Sequence, residues 1–148
     1  MNIIVTGASK GIGEQIVREL AGKNQHTLIL IARNQAKMDI LSKEMTSLYP
    51  GTSVLPISYD LNQTDEIPSK LIPQILKIAS QIDVLINNAG FLIHTKFRDL
   101  NNDMLQTHYR INVFSPIVLI QHLFEAMKAS SAGHIVNVGT MGAVQGSQ

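Results

Sequence analysis

The stretch Asn2-Ile3-Ile4-Val5-Thr6-Gly7-Ala8-Ser9-Lys10-Gly11-Ile12-Gly13 decides how this chain is read. A β-branched apolar run of strand length stops at Thr6 and passes into glycines spaced G-x-x-x-G-x-G, with helix-compatible residues resuming behind them. Glycines belong where a strand must turn sharply and let backbone N–H groups approach a pyrophosphate, and a side chain at Gly11 or Gly13 is expected to obstruct that approach. The helix opening here adds its positive end, which favours an anion by about 0.3–1 kcal/mol. The spacing is neither the Walker lysine loop nor G-x-G-x-x-G. Such a turn can simply join a strand to a helix; its place in the first βα unit favours a dinucleotide cradle, with Gly7, Ser9, Lys10, Gly11, Ile12 and Gly13 as candidate contacts.

Outward from this turn, β-branched runs recur at 2–6, 27–32, 53–58, 83–86 and 134–138, and the first four are separated by helical patterns. The runs are almost continuously apolar, as in Leu28-Ile29-Leu30-Ile31, which suits strands covered on both faces by helices. The expected fold is therefore α/β: a doubly wound parallel sheet of Rossmann type with five strands present, residues 1–148 forming one dinucleotide-binding domain. Helices are expected at about 11–22, 34–48, 64–80 and 103–129, with Asn34 and Thr64 as N-caps. Ile67 at the third position after Thr64 gives no capping box. Ile111, Phe114, Ile117, Val118, Phe124 and Met127 recur at helical spacing and read as a core-facing stripe.

Composition narrows the function. The 12 Lys and Arg against 11 Asp and Glu, with 45% apolar residues, argue for an ordinary globular domain and against a nucleic-acid partner. Cysteine is absent, which removes disulfides, thiolate metal sites and a cysteine nucleophile. His26, His94, His108, His122 and His134 show no H-x-x-x-H or H-E-x-x-H spacing, so no metal site is expected. No leader is expected at the amino end, and Asn112, Ser115, Pro116, Gln121 and His122 interrupt the apolar stretch 111–124. A cytoplasmic protein without a membrane span is the expectation.

The end of the second strand selects between dinucleotides. A carboxylate there suits the ribose 2′-OH of NAD, and a cation suits the 2′-phosphate of NADP. No acid lies in 28–35, and Arg33 offers a planar fork of donors to a phosphate. Lys10 adds a second charge from inside the turn. Either alone is as readily a solvated surface charge, but together they favour NADP(H).

Three further segments follow in order: Asn87-Asn88-Ala89-Gly90, Asn112, and Ile135-Val136-Asn137-Val138-Gly139-Thr140. With the Thr6–Gly13 turn, T-G-x-x-x-G-x-G, they make the whole chain resemble the short-chain dehydrogenases/reductases. The resemblance implies that Asp60 accepts from the adenine amine beside Leu61, and that Asn88, Ala89 and Gly90 pass close to the adenosine ribose. The Asn87 and Asn88 amides can also tie neighbouring loops together. Asn112 is marked independently, because Pro116 has no N–H and leaves the Asn112 carbonyl without its helical partner. In the family this Asn helps to hold a water in a proton relay.

The family places a Ser at the end of the fifth strand to hydrogen-bond the substrate carbonyl, and here Thr140 stands there. It also uses Tyr-x-x-x-Lys as the proton donor and its pKa-lowering partner, yet none of Tyr49, Tyr59 and Tyr109 is followed by Lys at the fourth position. The chain is thus expected to be an incomplete domain lacking the last strands and the Tyr-x-x-x-Lys helix, inactive alone. Its parent is expected to move a hydride between NADP(H) and a small carbonyl or alcohol substrate such as a 3-oxoacyl thioester, as a homo-oligomer, dimer or tetramer, whose interface includes the long helix. The alternative is a non-catalytic NADP(H)-binding sensor or scaffold module.

Overall fold

The computed structural model describes residues 1–23 and 25–140. Strands β1 (Asn2–Thr6), β2 (Thr27–Ala32), β3 (Ser53–Ser58), β4 (Val84–Asn87) and β5 (His134–Asn137) form one sheet in the order β3-β2-β1-β4-β5. All neighbours are parallel, with Ile4 opposite Ile29 on one side and Leu85 on the other. The chain winds outward from β1 to β3, then returns to lay β4 against β1, so the winding reverses at the β1/β4 seam.

The uninterrupted apolar runs are explained by covering on both faces. On one face Ile3, Val5, Leu28, Leu30 and Ile86 pack with Val17, Met38, Leu41 and Met45 of helices α1 (Gly11–Ala21) and α2 (Gln35–Leu48). On the other, Ile4, Ile29, Ile31, Ile57 and Leu85 pack with Ile75, Leu119, Leu123 and Met127 of α3 (Ile72–Ile78) and α5 (Ser115–Lys128). Successive side chains of each strand therefore go to opposite cores. The outer strands differ: Pro56 sits in β3, where a missing donor is tolerated, and all four β5 residues are exposed.

Two expected helices are not continuous. Residues 64–80 divide into a 3₁₀ turn (Thr64–Glu66), a π turn (Ile67–Leu71) and α3, and 103–129 divides into α4 (Asn102–Tyr109), a π turn (Arg110–Phe114) and α5. Each π turn ends immediately before a residue followed by proline. Pro73 and Pro116 have no N–H, and the residues before them donate to carbonyls five back, Ile72 to Ile67 and Ser115 to Arg110. Asn34 does cap α2, accepting from the Lys37 N–H at 3.0 Å. Thr64 does not act as an N-cap: it lies inside the 3₁₀ turn and its Oγ1 donates to the Leu61 carbonyl at 3.3 Å.

The expected stripe on the long helix is also corrected. Ile111 and Met127 are buried, but Phe114, Ile117 and Phe124 are 48%, 46% and 54% exposed, and Val118 only flanks the core. The buried edge is Ser115, Leu119, Leu123 and Met127. Residues 117–120 are apolar nearly all round the helix, so periodicity leaves two adjacent faces equivalent. The small hydroxyl of Ser115, bonded to the Leu61 carbonyl and 3.2 Å from Thr64 Oγ1, selects the face that docks.

Candidate functional site

The glycine turn stands at the carboxyl end of β1, on the seam where the winding reverses, and its geometry explains its composition. Gly7 and Gly11 hold φ of 68° and 58°, the left-handed region that side chains disfavour. A Cβ on Gly11 meets no atom within 4 Å, so that residue leaves the turn open toward the cleft. Gly13 serves differently from the expectation that a side chain there obstructs a phosphate. A Cβ on it lands 2.4 Å from both the Gly7 carbonyl and Asn88 Nδ2, so Gly13 is required for α1 to pack against the turn itself.

Asn87-Asn88-Ala89-Gly90, at the end of β4, locks onto that turn through Thr6. The Thr6 hydroxyl donates to the Ile86 carbonyl at 3.2 Å and accepts the N–H groups of Asn88 and Ala89, each at 3.0 Å. Asn88 Nδ2 returns a bond to the Thr6 carbonyl at 2.9 Å, and Asn87 Nδ2 donates to Asn137 Oδ1 at 3.0 Å, linking β4 to β5. The asparagines thus tie adjacent strand ends together as their amides allow. Thr6 is the hub, and the sequence argument missed it, although its place directly before Gly7 in the motif was the available signal.

These segments enclose a cleft of about 580 Å³. Of the sequence candidates, Gly7, Ser9, Lys10, Gly11, Ile12, Arg33, Asp60, Leu61, Asn88, Ala89 and Gly90 line it. Asn34, Lys37, Tyr59, Phe91 and Ile111 line it as well and were not anticipated. At its glycine end, α1 begins at Lys10 in extended conformation without a side-chain cap, so the first N–H groups of the helix are left for an anion. At its far end, Asp60 Oδ1 accepts the Asn62 N–H at 3.0 Å, holding the carboxylate in a tight turn. Burial pushes the neighbouring Tyr59 phenol up, helped by the charges of Glu66 and Asp60, and its hydroxyl donates to the Gln63 carbonyl at 2.7 Å.

Asn112 and Thr140 stand apart from the cleft lining. Asn112 lies in the second π turn, and its amide pairs reciprocally with the Phe91 backbone, accepting the N–H and donating to the carbonyl, both at 2.8 Å. His108 brings its ring nitrogens to 3.2 and 3.3 Å from Asn112 Nδ2. The Asn112 side chain is therefore committed to fixing the β4 loop, and Pro116, four residues on, has no N–H to offer its main-chain carbonyl. Thr140 is exposed, past the end of β5, which stops at Asn137 rather than at 138. Among the described residues no group of three His, Asp or Glu could hold a metal, and no helix is long and apolar enough to cross a membrane.

The model of the short chain dehydrogenase family matches residues 1–148. The chain belongs to the short-chain dehydrogenase family. It is similar to the NADP-dependent 3-hydroxy acid dehydrogenase of Schizosaccharomyces pombe, with 36% identity over 94% of this chain and 53% of the relative. It is also 31% identical to a ketoacyl reductase of Nostoc, over 97% of this chain and 49% of that one. Among solved structures, a metagenomic short-chain oxidoreductase in complex with NADP superimposes with a TM-score of 0.85 at 27% identity, covering 95% of this chain and 62% of the other. This short-chain dehydrogenase sequence spans about half the length of the curated relatives it matches.

Proposed function

We propose that this chain is the NADP(H)-holding unit of an oxidoreductase acting on a carbonyl/hydroxyl pair, of which a 3-oxoacyl thioester or 3-hydroxy acid is the favoured class. One observation carries the reading: a glycine cradle at the β1/β4 seam opens onto a cleft whose rim bears Lys10 and Arg33 and whose β2 end bears no acid. The residues present fit the cofactor, because Gly11 leaves the turn open, Gly7 lets the Asn88–Ala89 loop close against it and the start of α1 is uncapped. When bound, the reduced nicotinamide supplies a hydride to the carbonyl carbon. The chain's own residues do the holding. Gly7, Ser9, Gly11, Ile12 and Gly13 shape the pyrophosphate cradle, Lys10 and Arg33 face the 2′-phosphate, Asp60 and Leu61 flank the adenine, and Asn88, Ala89 and Gly90 support the ribose.

Asn112 contributes its main-chain carbonyl to hold a water of the proton path, and Thr140, beyond the strand end beside β4, orients the substrate oxygen. Residues 1–148 form one unit that depends on a Tyr-x-x-x-Lys helix elsewhere in the protein for proton transfer. The exposed face formed by Phe114 of the second π turn with Ile117 and Phe124 of α5 suits a homo-oligomeric contact, and a cytoplasmic setting suits the absence of cysteine. Calorimetric titration tests the cofactor: NADPH is expected to bind at least about tenfold more tightly than NADH, and Arg33→Asp to weaken NADPH selectively. Equal affinities for the two cofactors in the unaltered protein overturn the assignment.

A further inference from the structure

We infer that Lys37 is a third cation of the phosphate end of the cleft, so that NADPH selectivity is shared among Lys10, Arg33 and Lys37 and outlasts the loss of Arg33 alone. The inference rests on the cofactor reading above and extends it to a residue outside the glycine turn and the β2 terminus. Lys37 lines the cleft together with Lys10, Arg33 and Asn34. Its backbone is fixed by the cap, since Asn34 accepts its N–H at 3.0 Å, while its side chain is exposed. The neighbourhood leaves that charge unspent. The first turn of α2 carries no acid, and Asp39 one turn on accepts from Gln35 Nε2 at 2.7 Å. Elsewhere Arg18 pairs with Glu14 at 2.9 Å and Glu44 at 2.6 Å, and Lys70 with Glu66 at 2.8 Å, while among the described residues other exposed cations such as Lys43, Lys77 and Lys128 carry no ion pair but lie away from the cleft. Among the described residues Lys10, Arg33 and Lys37 have no such ion pair, and Asp60 is the one carboxylate lining their cleft. A phosphate monoester carries about −1.5 to −2 charges near neutral pH, more than one guanidinium balances. Arg33 brings a planar fork with its backbone held by Ser58 Oγ donating to the Arg33 carbonyl at 3.1 Å, and Lys37 brings a mobile point charge from one helical turn away.

The test is titration of the full chain with NADPH and NADH, comparing the unaltered protein with Lys37→Ala, Lys37→Arg, Arg33→Ala and the Arg33→Ala/Lys37→Ala pair. Lys37→Ala is expected to weaken NADPH by about threefold to tenfold while shifting NADH by less than about twofold. Lys37→Arg should retain the preference, Arg33→Ala should keep a reduced one, and the pair should fall below either single variant to the small preference that Lys10 alone supports. Raising the salt concentration should shrink the Lys37→Ala effect, because the charge is solvent-exposed. Far-UV circular dichroism confirms that each variant stays folded. An NADPH-to-NADH affinity ratio unchanged by Lys37→Ala, or an equal loss for both cofactors, overturns the inference while the cofactor assignment stands. Equal binding of the two cofactors by the unaltered protein overturns both.

Discussion

The two ends of the sheet are built from similar polar residues and put them to opposite use. At the amino end, Asp83 engages both carboxylate oxygens: Oδ2 accepts the Asn2 N–H at 2.6 Å, and Oδ1 accepts Ser130 Oγ at 2.6 Å and Gln81 Nε2 at 3.2 Å. Strands β1 and β4 and the α5–β5 turn are clasped by one carboxylate. At the carboxyl end, Thr6 and Asn88 spend their hydrogen bonds on tying the glycine turn to the β4 loop, and the α1 N–H groups and the side chains of Lys10 and Arg33 stay uncommitted. Stability is concentrated where the polar groups satisfy one another, and binding capacity where the fold withholds satisfaction.

The most severe way to break this contrast is Gly13→Val. Its Cβ must occupy space 2.4 Å from the Gly7 carbonyl, which no flexible side chain can vacate, so we expect a loss of about 3 kcal/mol in urea unfolding and no NADPH binding. A milder intervention is Thr6→Val, which keeps the shape and removes the acceptor of two N–H groups. Leaving the Asn88 and Ala89 donors without it should cost about 1–3 kcal/mol and weaken NADPH as well, measured by unfolding and titration on one preparation. If stability falls but NADPH affinity does not, the hub role of Thr6 at the site is wrong.

The smallest effect belongs to the amino end. Burial pulls the Asp83 carboxyl up, but hydrogen bonds from Ser130, the Asn2 N–H and Gln81 outweigh it, and the group sits below its ordinary value of 3.8. A depressed pKa stabilises the fold above the unfolded-chain value, and that share disappears as pH falls through the folded value. Stability should therefore drop as the pH falls below 3.8, and Asp83→Asn should flatten this part of the profile while leaving NADPH affinity at neutral pH unchanged. A steep acid slope retained in Asp83→Asn would assign it to other carboxylates.

Much of the molecule was legible from residue order, because the signals are local. Continuous apolar runs announced buried parallel strands, Asn34 announced its helix, the glycines announced the turn, and the missing N–H of Pro116 announced the irregularity at Asn112. The same proline argument applies at Pro73, where the helix expected over 64–80 is broken. Roles that depend on what arrives from a distant strand or loop were not legible: Thr6 as the acceptor for the β4 loop, Lys37 on the cleft rim, and His108 beside Asn112.

Periodicity and steric rules thus settled the element order, the doubly wound class and the location of the phosphate turn, since each follows from contacts within a few residues. The reason for Gly13, which packs against the turn rather than clearing a path for a phosphate, and the choice of Leu119 and Leu123 over Ile117 and Phe124 as the buried face were decided only by the tertiary structure. Both depend on groups brought close across long separations in sequence, Asn88 in the first case and Leu61 in the second, and a one-dimensional pattern carries no record of which surface will meet them.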